Sequence, residues 1–574
     1  MTKTSRESGR GDLPGRPYTP RSGINPWLVL ALICLPVFIG ALDLTIVSAF
    51  LPSVIIELEL PLQTGLDDAA WVVSGYLLAY TISMTFMGRV SDLIGRRGVY
   101  VACLVIFIVG SILVAVAHQG PSDLLYAIYR RLGERPDRSA VTLQAIIIGR
   151  LIQALGAGAL VPVSLALVGD LFPPERRAQP LGIIGAVDTL GWVLGHLYGG
   201  LAVALFDANR EPIIQFYNQI GLNSSPPDWR TLFWLNVPIT LVALVFVWRS
   251  LAAVPEHRAK GRLDYLGAAL IVGALICLNI GLGANIEVSG STTTFEELSS
   301  LPPYALPVLL AGVALFIGFV VVERRAPDPL LDLRMFRQRN LSAGSITNLF
   351  VGFCLMIGLV SVPILTNIRL EDATQLNEGA KQAGILLSAL TVPMALAAIP
   401  GGWLSERIGF QKTTLLGLGM AALGFLLIWQ TWTVTIDNLL VAIEMAIVGI
   451  GLGLTFSPIS ASVINAVDED HRGVASALVI ILRLIGMTVA VSSLTTLSLQ
   501  RVTYLASLQL GEVAVDPQQA TDIYLGVTVR VLAELGLLGA IVCGIAMIPA
   551  YLLREQKAKQ ERKREEPAAR VMGD

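Results

Sequence analysis

Charge is scarce in this chain: 15% of its 574 residues are Asp, Glu, Lys or Arg, against 54% that are hydrophobic. A water-soluble fold needs a polar surface that this composition does not provide, and the few charges are confined to the intervals between long apolar runs, so the solvent implied is a bilayer. Cysteine is also sparse. Cys34, Cys103, Cys277, Cys354 and Cys543 all fall within apolar runs at no metal-ligand spacing, which makes them small core residues and gives no reason to expect a metal. There is no G-x-x-x-x-G-K-[ST] phosphate loop and no polar stretch long enough for a nucleotide-binding domain, which argues against an ATP-driven pump. No apolar run holds a nucleophile constellation, so an enzyme is not expected, and nothing suggests a cofactor or a nucleic-acid partner.

What is present is about fourteen apolar runs, each near the roughly 20 residues that cross a bilayer. The first continues past Pro36 and Asp43 to Pro52 without a small-residue cleavage pattern, so it reads as a retained span and not a signal peptide. An even number of spans puts both termini on one side. That side collects Lys3, Arg6, Arg10, Arg16 and Arg21, the Lys/Arg-rich tail from Arg554 to Arg564, and the loops of Arg96/Arg97, Arg176/Arg177, Arg258/Lys260/Arg262, Arg334/Arg337/Arg339 and Lys412. The loops at 57–68 and 287–297 have no Lys or Arg, so both termini are expected in the cytoplasm of a cell-membrane protein. One interval dissents, with Arg130, Arg131, Arg135 and Arg138 outside after the third span.

The chain is duplicated. Gly88-Arg89-Val90-Ser91-Asp92-Leu93-Ile94-Gly95-Arg96-Arg97 follows the second run, and a diluted copy, Gly402-Trp403-Leu404-Ser405-Glu406-Arg407-Ile408-Gly409, lies 314 positions later. A second match, Gly156-Ala157-Gly158 through Arg177 with Gly451-Leu452-Gly453 through Arg472, is offset by 295. The shorter offset places an insertion in the first half, and the size of both offsets leaves two spans without a counterpart. The expected organisation is a cytoplasmic tail (1–26), a six-helix bundle (27–252) with outer inserts near 118–142 and 206–228, a two-helix linker (253–340), a second six-helix bundle (341–553) and a basic tail (554–574).

The G-x-x-x-D-x-x-G-R-R spacing resembles the cytoplasmic signature of the major facilitator superfamily. Leu263-Asp264-Tyr265-Leu266-Gly267, Glu323-Arg324-Arg325-Ala326-Pro327-Asp328-Pro329-Leu330, Trp229-Arg230 and Asn236-Val237-Pro238 resemble its fourteen-span drug:proton antiporter branch. Gly195-His196-Leu197-Tyr198-Gly199 and Ala475-Ser476-Ala477 with Arg483 and Gly486-Met487 are locally similar to mycobacterial triacylglycerol-exporting members. The resemblance implies an all-α integral membrane protein of the major facilitator fold, with about 14 transmembrane helices arranged as six core, two linker and six core.

Charges inside spans cost about 2.5–3.5 kcal/mol each on insertion scales, so each needs a partner or an aqueous cavity. Five candidates follow: Asp43, Arg150, Asp188, Arg483 and Glu444. Counted from the outer ends of their runs, Asp43 and Arg150 lie roughly 13 and 10 Å deep and can share a level. The resemblance matches both to motif positions of the first and fourth spans, where a proton-coupling acid, a permanent ion pair and a substrate-contacting acid remain alternatives. Asp188 and Arg483 share the 295 offset, which places opposite charges at equivalent points of the fifth and thirteenth spans, and Arg483 can pair with Asp188 or Asp43. Glu444 can lie near the outer mouth. Gly191, Gly195 and Gly199 follow the antiporter-motif spacing, where glycine permits close helix approach; His196 stands where that motif usually has proline. Gly88, Asp92, Gly95, Arg96, Arg97 and Asp170 match the family's inner-gate network, with Asp92 expected at the N-terminus of the thirteenth span, where a helix dipole favours an anion.

In the first insert Ser122 can cap a helix whose stripe of Leu124, Leu125, Ile128 and Leu132 lies in the membrane interface; the second, 211–221, reads the same way. The inserts either pack on the outer rim or flank a lateral path for a lipid. The functional expectation is a proton-coupled secondary transporter that exports small amphipathic compounds, of multidrug type, driven by a proton gradient. A lipid exporter of triacylglycerol or glycolipid type is the alternative within the class, and a non-transporting membrane sensor or scaffold the alternative outside it. A periplasmic partner is left open.

Overall fold

In hydrocarbon an unpaired backbone N–H or C=O costs several kcal/mol, so an apolar run can cross only as a helix or in a closed barrel. Here the runs are helices. The computed structural model describes residues 25–59, 65–219, 228–252, 254, 258–259, 261–282, 304–369, 376–510 and 517–554. Among these are α1 (Pro26–Glu57), α2 (Gly65–Ile94), α3 (Arg96–Ala115), α4 (Gly120–Arg131), α5 (Arg138–Ala157), α6 (Leu160–Leu171), α7 (Ala178–Ala208), α8 (Arg210–Gln219) and α9 (Arg230–Leu251). There follow α10 (Tyr265–Leu282), α11 (Ala305–Glu323), α12 (Arg339–Asn367), α13 (Leu376–Ile408), α14 (Phe410–Thr431), α15 (Asn438–Ile464), α16 (Arg472–Leu510) and α17 (Pro517–Tyr551). No strand occurs among the described residues. Twelve helical stretches are long and apolar enough to cross a membrane, with α5 and α6 counting as one. The 31-residue α7 and the 18-residue α10 are two further apolar helices, which gives fourteen candidate spans among the described residues.

The fourth span is broken at Gly158 and Ala159 because Pro162, one turn on, has no N–H to give the Gly158 carbonyl. Gly95 and Gly409 close the turns into α3 and α14 with φ of 110° and 98°, a region that only glycine enters without strain. The two positions are related by the 314 offset, so the duplication repeats the turn itself. Gly88 does a different job: a Cβ there would run into the Gly473 backbone of α16.

The linker helix α11 has only 17% of its apolar window buried, against 83% for α5–α6, which sets α11 at the lipid-facing periphery and the fourth span at the centre. The two halves meet where α2 packs on α16 and α7 on α13. Residues near both ends of the described chain lie at one end of the bundle: Trp27 stacks edge-on against Phe172, and Arg339 and Asn340 donate to the carbonyls of Leu552 and Arg554. We call this the terminal end and its opposite the distal end. The basic residues of the two tails other than Arg554, and the loop at 287–297, lie outside the described residues.

At the distal end α16 and α17 outrun the bilayer. Helices of 39 and 35 residues are about 58 and 52 Å long, while a hydrocarbon core is about 30 Å thick. The far part of α16 is pinned to α17 by Arg501, whose Nε donates to Glu534 at 2.9 Å.

The first insert forms α4, but Ser122 does not cap it. Its hydroxyl donates to the Gln119 carbonyl at 3.0 Å, Gln119 occupies the cap position, and Ser122 is buried. Leu125 is partly buried against the apolar cluster that includes Ile46, Val114 and Ile146, while Leu124, Ile128 and Leu132 are 65%, 46% and 72% exposed along one face. The second insert forms α8; the side chains of Phe216 and Tyr217, and all of Ile220 and Gly221, lie outside the described residues.

Candidate transport site and gate

Asp43 sits mid-helix on α1 with no exposure, and Arg150 reaches it from α5, also with none. Arg150 Nη1 donates to Asp43 Oδ2 at 2.5 Å, and Gln153 Nε2 and Asn236 Nδ2 donate to Oδ1 at 3.0 and 2.7 Å. The guanidinium lies 3.8 Å from the centre of the Tyr76 ring, and Gln153 also donates to Ser111 Oγ at 2.8 Å. Five helices, α1, α2, α3, α5 and α9, therefore converge on one carboxylate. Such a pair is favourable in a dry interior only when its remaining donors and acceptors are also occupied, and here most are.

Asp188 and Arg483 face each other across the interface between the halves, from α7 and α16, with Oδ2 to Nη2 at 3.6 Å. Arg483 thus takes Asp188 as partner and leaves Asp43 to Arg150. The guanidinium also lies 4.8 Å from the Phe456 ring centre. Both charges line a central cavity of about 40 Å³ whose other walls include Leu44, Tyr80, Met84, Met394, Leu484 and Met487. That space suits a few waters, not a lipid. Asp43 is absent from the cavity wall, although its neighbour Leu44 is on it.

Glu444 stands apart from both pairs. It is 1% exposed on α15, where it accepts from Thr431 Oγ1 at 2.6 Å and Trp432 Nε1 at 2.9 Å at the end of α14. These bonds account for its burial, and it contributes nothing to the cavity wall.

The antiporter-motif glycines bring α7 onto α1. A Cβ at Gly191 would meet Ala41 and the Phe38 carbonyl, and one at Gly195 would meet Leu42 and Thr45. Gly199 is buried on the same helix, and the side chain of His196 lies outside what the structure describes.

At the terminal end the halves are clamped together twice. Asp92 on α2 accepts from Gly473 N at 3.0 Å through both oxygens and from Val474 N at 3.3 Å, the first turn of α16. Its counterpart Glu406 on α13 accepts from Gln179 N at 3.1 Å, the first turn of α7. Arg472 donates to Asp170 at 2.9 Å, and in the mirrored place Arg177 donates to Asn465 Oδ1 at 2.7 Å. Arg96 bridges Asp92 and Asp170. The position equivalent to Arg96 is Phe410, and that equivalent to Asp170 is Asn465, so the second clamp carries less charge. Arg97 is not part of either clamp; it leaves the gate and lies 5.6 Å from the Trp248 ring centre on α9.

Arg472, Gln179, Asn465 and Asn236 were not singled out as site residues in the sequence. The 295 offset carried the signal for three of them, since it pairs Asp170 with Asn465 and Arg177 with Arg472, and Gln179 adjoins that segment. Among the described residues no group of three or more His, Cys, Asp or Glu side chains is arranged to hold a metal ion.

Comparison with known proteins bears on the family and the fold. The family model described as Major Facilitator Superfamily matches residues 33–491. The triacylglyceride transporter of Mycolicibacterium smegmatis is 32% identical over 470 residues, 80% of this chain and 73% of that protein. The triacylglyceride transporter of Mycobacteroides abscessus is 30% identical over 507 residues, 86% and 85% of the two chains. Among solved structures, a human organic anion transporter superposes with a TM-score of 0.53 at 16% identity, covering 93% of this chain and all of that one. A proton:xylose symporter gives 0.51 at 13% identity, covering 90% and 94%. The last two are likenesses of fold.

Proposed function

Since the chain belongs to the Major Facilitator Superfamily, we propose that it exports a neutral, triacylglycerol-like lipid across the cell membrane by proton-coupled alternating access, with both termini in the cytoplasm. The observation that carries this reading is the cavity wall: mostly apolar and thioether side chains, with the hydroxyls of Tyr80, Thr81 and Thr189, around one ion pair, Asp188 with Arg483, whose charges cancel. A cationic drug is best held by an acid that has no cation of its own, and this cavity offers none. The relatives at 30% and 32% identity, named as triacylglyceride transporters, favour the same substrate class. Multidrug efflux, the first expectation from the sequence, becomes the second reading.

In this mechanism the two clamps hold the cytoplasmic side shut, which makes the described state closed inside. Asp188 is the coupling acid. A proton taken up from outside neutralises it, the attraction to Arg483 across the halves is lost, and the halves rock about the cavity; release of the proton to the cytoplasm restores the pair. Asp43 and Arg150 then serve as a fixed strut that keeps the first bundle rigid. The exposed stripe of α4 is placed to lie in the outer leaflet beside the first bundle, where a lateral lipid path would run.

The test is reconstitution into vesicles under an imposed pH gradient, comparing movement of labelled triacylglycerol with efflux of a cationic dye. Gradient-dependent movement of the lipid without the dye is expected. Dye efflux with no lipid movement would refute the lipid reading and restore the drug exporter.

A further inference from the structure

The two linker phrases that the transport site leaves unused meet in space. Asp264 caps α10, its Oδ1 accepting from Gly267 N at 2.9 Å, and Glu323 ends α11, its Oε2 accepting from Leu331 N at 3.2 Å. The other oxygen of each carboxyl, Asp264 Oδ2 and Glu323 Oε1, is buried and has no hydrogen-bond partner. Both point to one spot. Each lies within 2.6 Å of the position a Gly267 Cβ would occupy, so they are no more than about 5 Å apart, and Glu323 as a whole is only 4% exposed.

Two ionised carboxylates with buried, unpaired oxygens turned on each other are mutually repelled and desolvated, and one proton held between them removes both penalties. The N-terminus of α10 favours one negative charge here, not two. Among the described residues no ion pair reaches either carboxyl. Arg89 of α2 acts on Glu323 through its charge, but its Nη1 donates to the Asp470 carbonyl at 3.4 Å. Asp328 accepts from Arg262 N at 3.1 Å, Asp332 accepts from Arg334 N at 2.9 Å, and Arg324 and Arg325 are exposed. With no third ligand among the described residues, a metal ion is the poorer fit.

We infer that Asp264 and Glu323 form a proton-binding site separate from the transport cavity, one proton shared between the two carboxyls, with Gly267 present because any side chain would fill the meeting point. The site ties together the linker helices beside the gate. The segment leading into Asp264 is bonded to the gate itself, Ala259 N donating to the Asp92 carbonyl at 2.8 Å, so the protonation state of the pair reaches the backbone of a clamp residue. The inference does not depend on which substrate is carried.

Infrared spectroscopy of the full chain in lipid nanodiscs at neutral pH tests it. The wild type should show a protonated-carboxyl C=O band that shifts in D2O; Glu323→Gln and Asp264→Asn should each lose one carboxyl's worth of it, and Asp188→Asn should keep that component. If one variant does not fold, the other decides, and Gly267→Ala, which puts a methyl group between the oxygens, should shift or remove the same component. Spectra of both acid variants that match the wild type in this region would overturn the proposal. So would a wild-type band that is missing and a spectrum that responds to added Na⁺ or Ca²⁺, which would make the pair a cation site.

Discussion

Replacing Asp92 by Asn should open the terminal end, and the size of the effect can be worked from its contacts. The carboxylate receives two backbone N–H groups of the first turn of α16, at 3.0 and 3.3 Å, in a position that is 2% exposed. These bonds join the two halves, so they exist only while that end is shut. An amide keeps one acceptor oxygen and loses the charge. Hydrogen bonds to a charged group are worth about 1.5–3 kcal/mol and a charge at a helix N-terminus up to about 2 kcal/mol, so a net loss of about 2 kcal/mol is a reasonable figure. That is roughly a 30-fold change in the ratio of shut to open forms. Arg96 retains Asp170 as its partner, so the change leaves no orphaned cation. Glu406→Gln is the internal comparison. It weakens, by loss of the charge, a bond from a single N–H at 3.1 Å to a half-buried position, and about 1 kcal/mol, roughly fivefold, is expected. The assay is double electron–electron resonance between spin labels at Glu175 and Lys412, exposed positions at the terminal end on opposite halves. The long-distance population should grow strongly in Asp92→Asn and weakly in Glu406→Gln. An unchanged distribution in Asp92→Asn, or a larger change in Glu406→Gln, would refute the reasoning.

Asp188→Asn should abolish lipid movement driven by a pH gradient while the protein still folds and inserts; wild-type rates under the gradient would remove Asp188 from coupling. Asp43→Asn strands a fully buried Arg150 without a counter-charge, a change that costs about 3–5 kcal/mol in other buried pairs, so the Tm in detergent should fall markedly, and an unaltered Tm would show that Asp43 is not the strut proposed. Changing Leu124, Ile128 and Leu132 together to Ser should lower lipid export and spare any dye efflux. Equal loss of both would point to damage to the first bundle, and no loss of either would mean that α4 only covers the rim.

Much of this protein is legible in its sequence because a bilayer leaves so few choices. Apolar runs of span length must become helices, so the number of spans and the class of fold follow from composition and spacing alone. The two offsets are the ground for expecting an insertion in the first half, and they pointed to the pairs related by the duplication, since a duplicated fold carries its contacts into both copies. The expectation that Asp92 meets the N-terminus of α16 followed from motif position, and the structure places it there.

What a linear reading could not decide were the partners across the molecule. Depth counting put Asp43 and Arg150 at one level, yet it could not reveal that Gln153, Asn236 and the Tyr76 ring enclose them, nor that Arg483 would take Asp188. Nor could it separate Leu125 from its stripe or send Arg97 to Trp248, because a stripe of positions does not say how a helix is rolled against its neighbours. Periodicity specifies which residues share a face of one helix; which face meets which helix, and therefore which charge finds which partner, is set only when the helices pack.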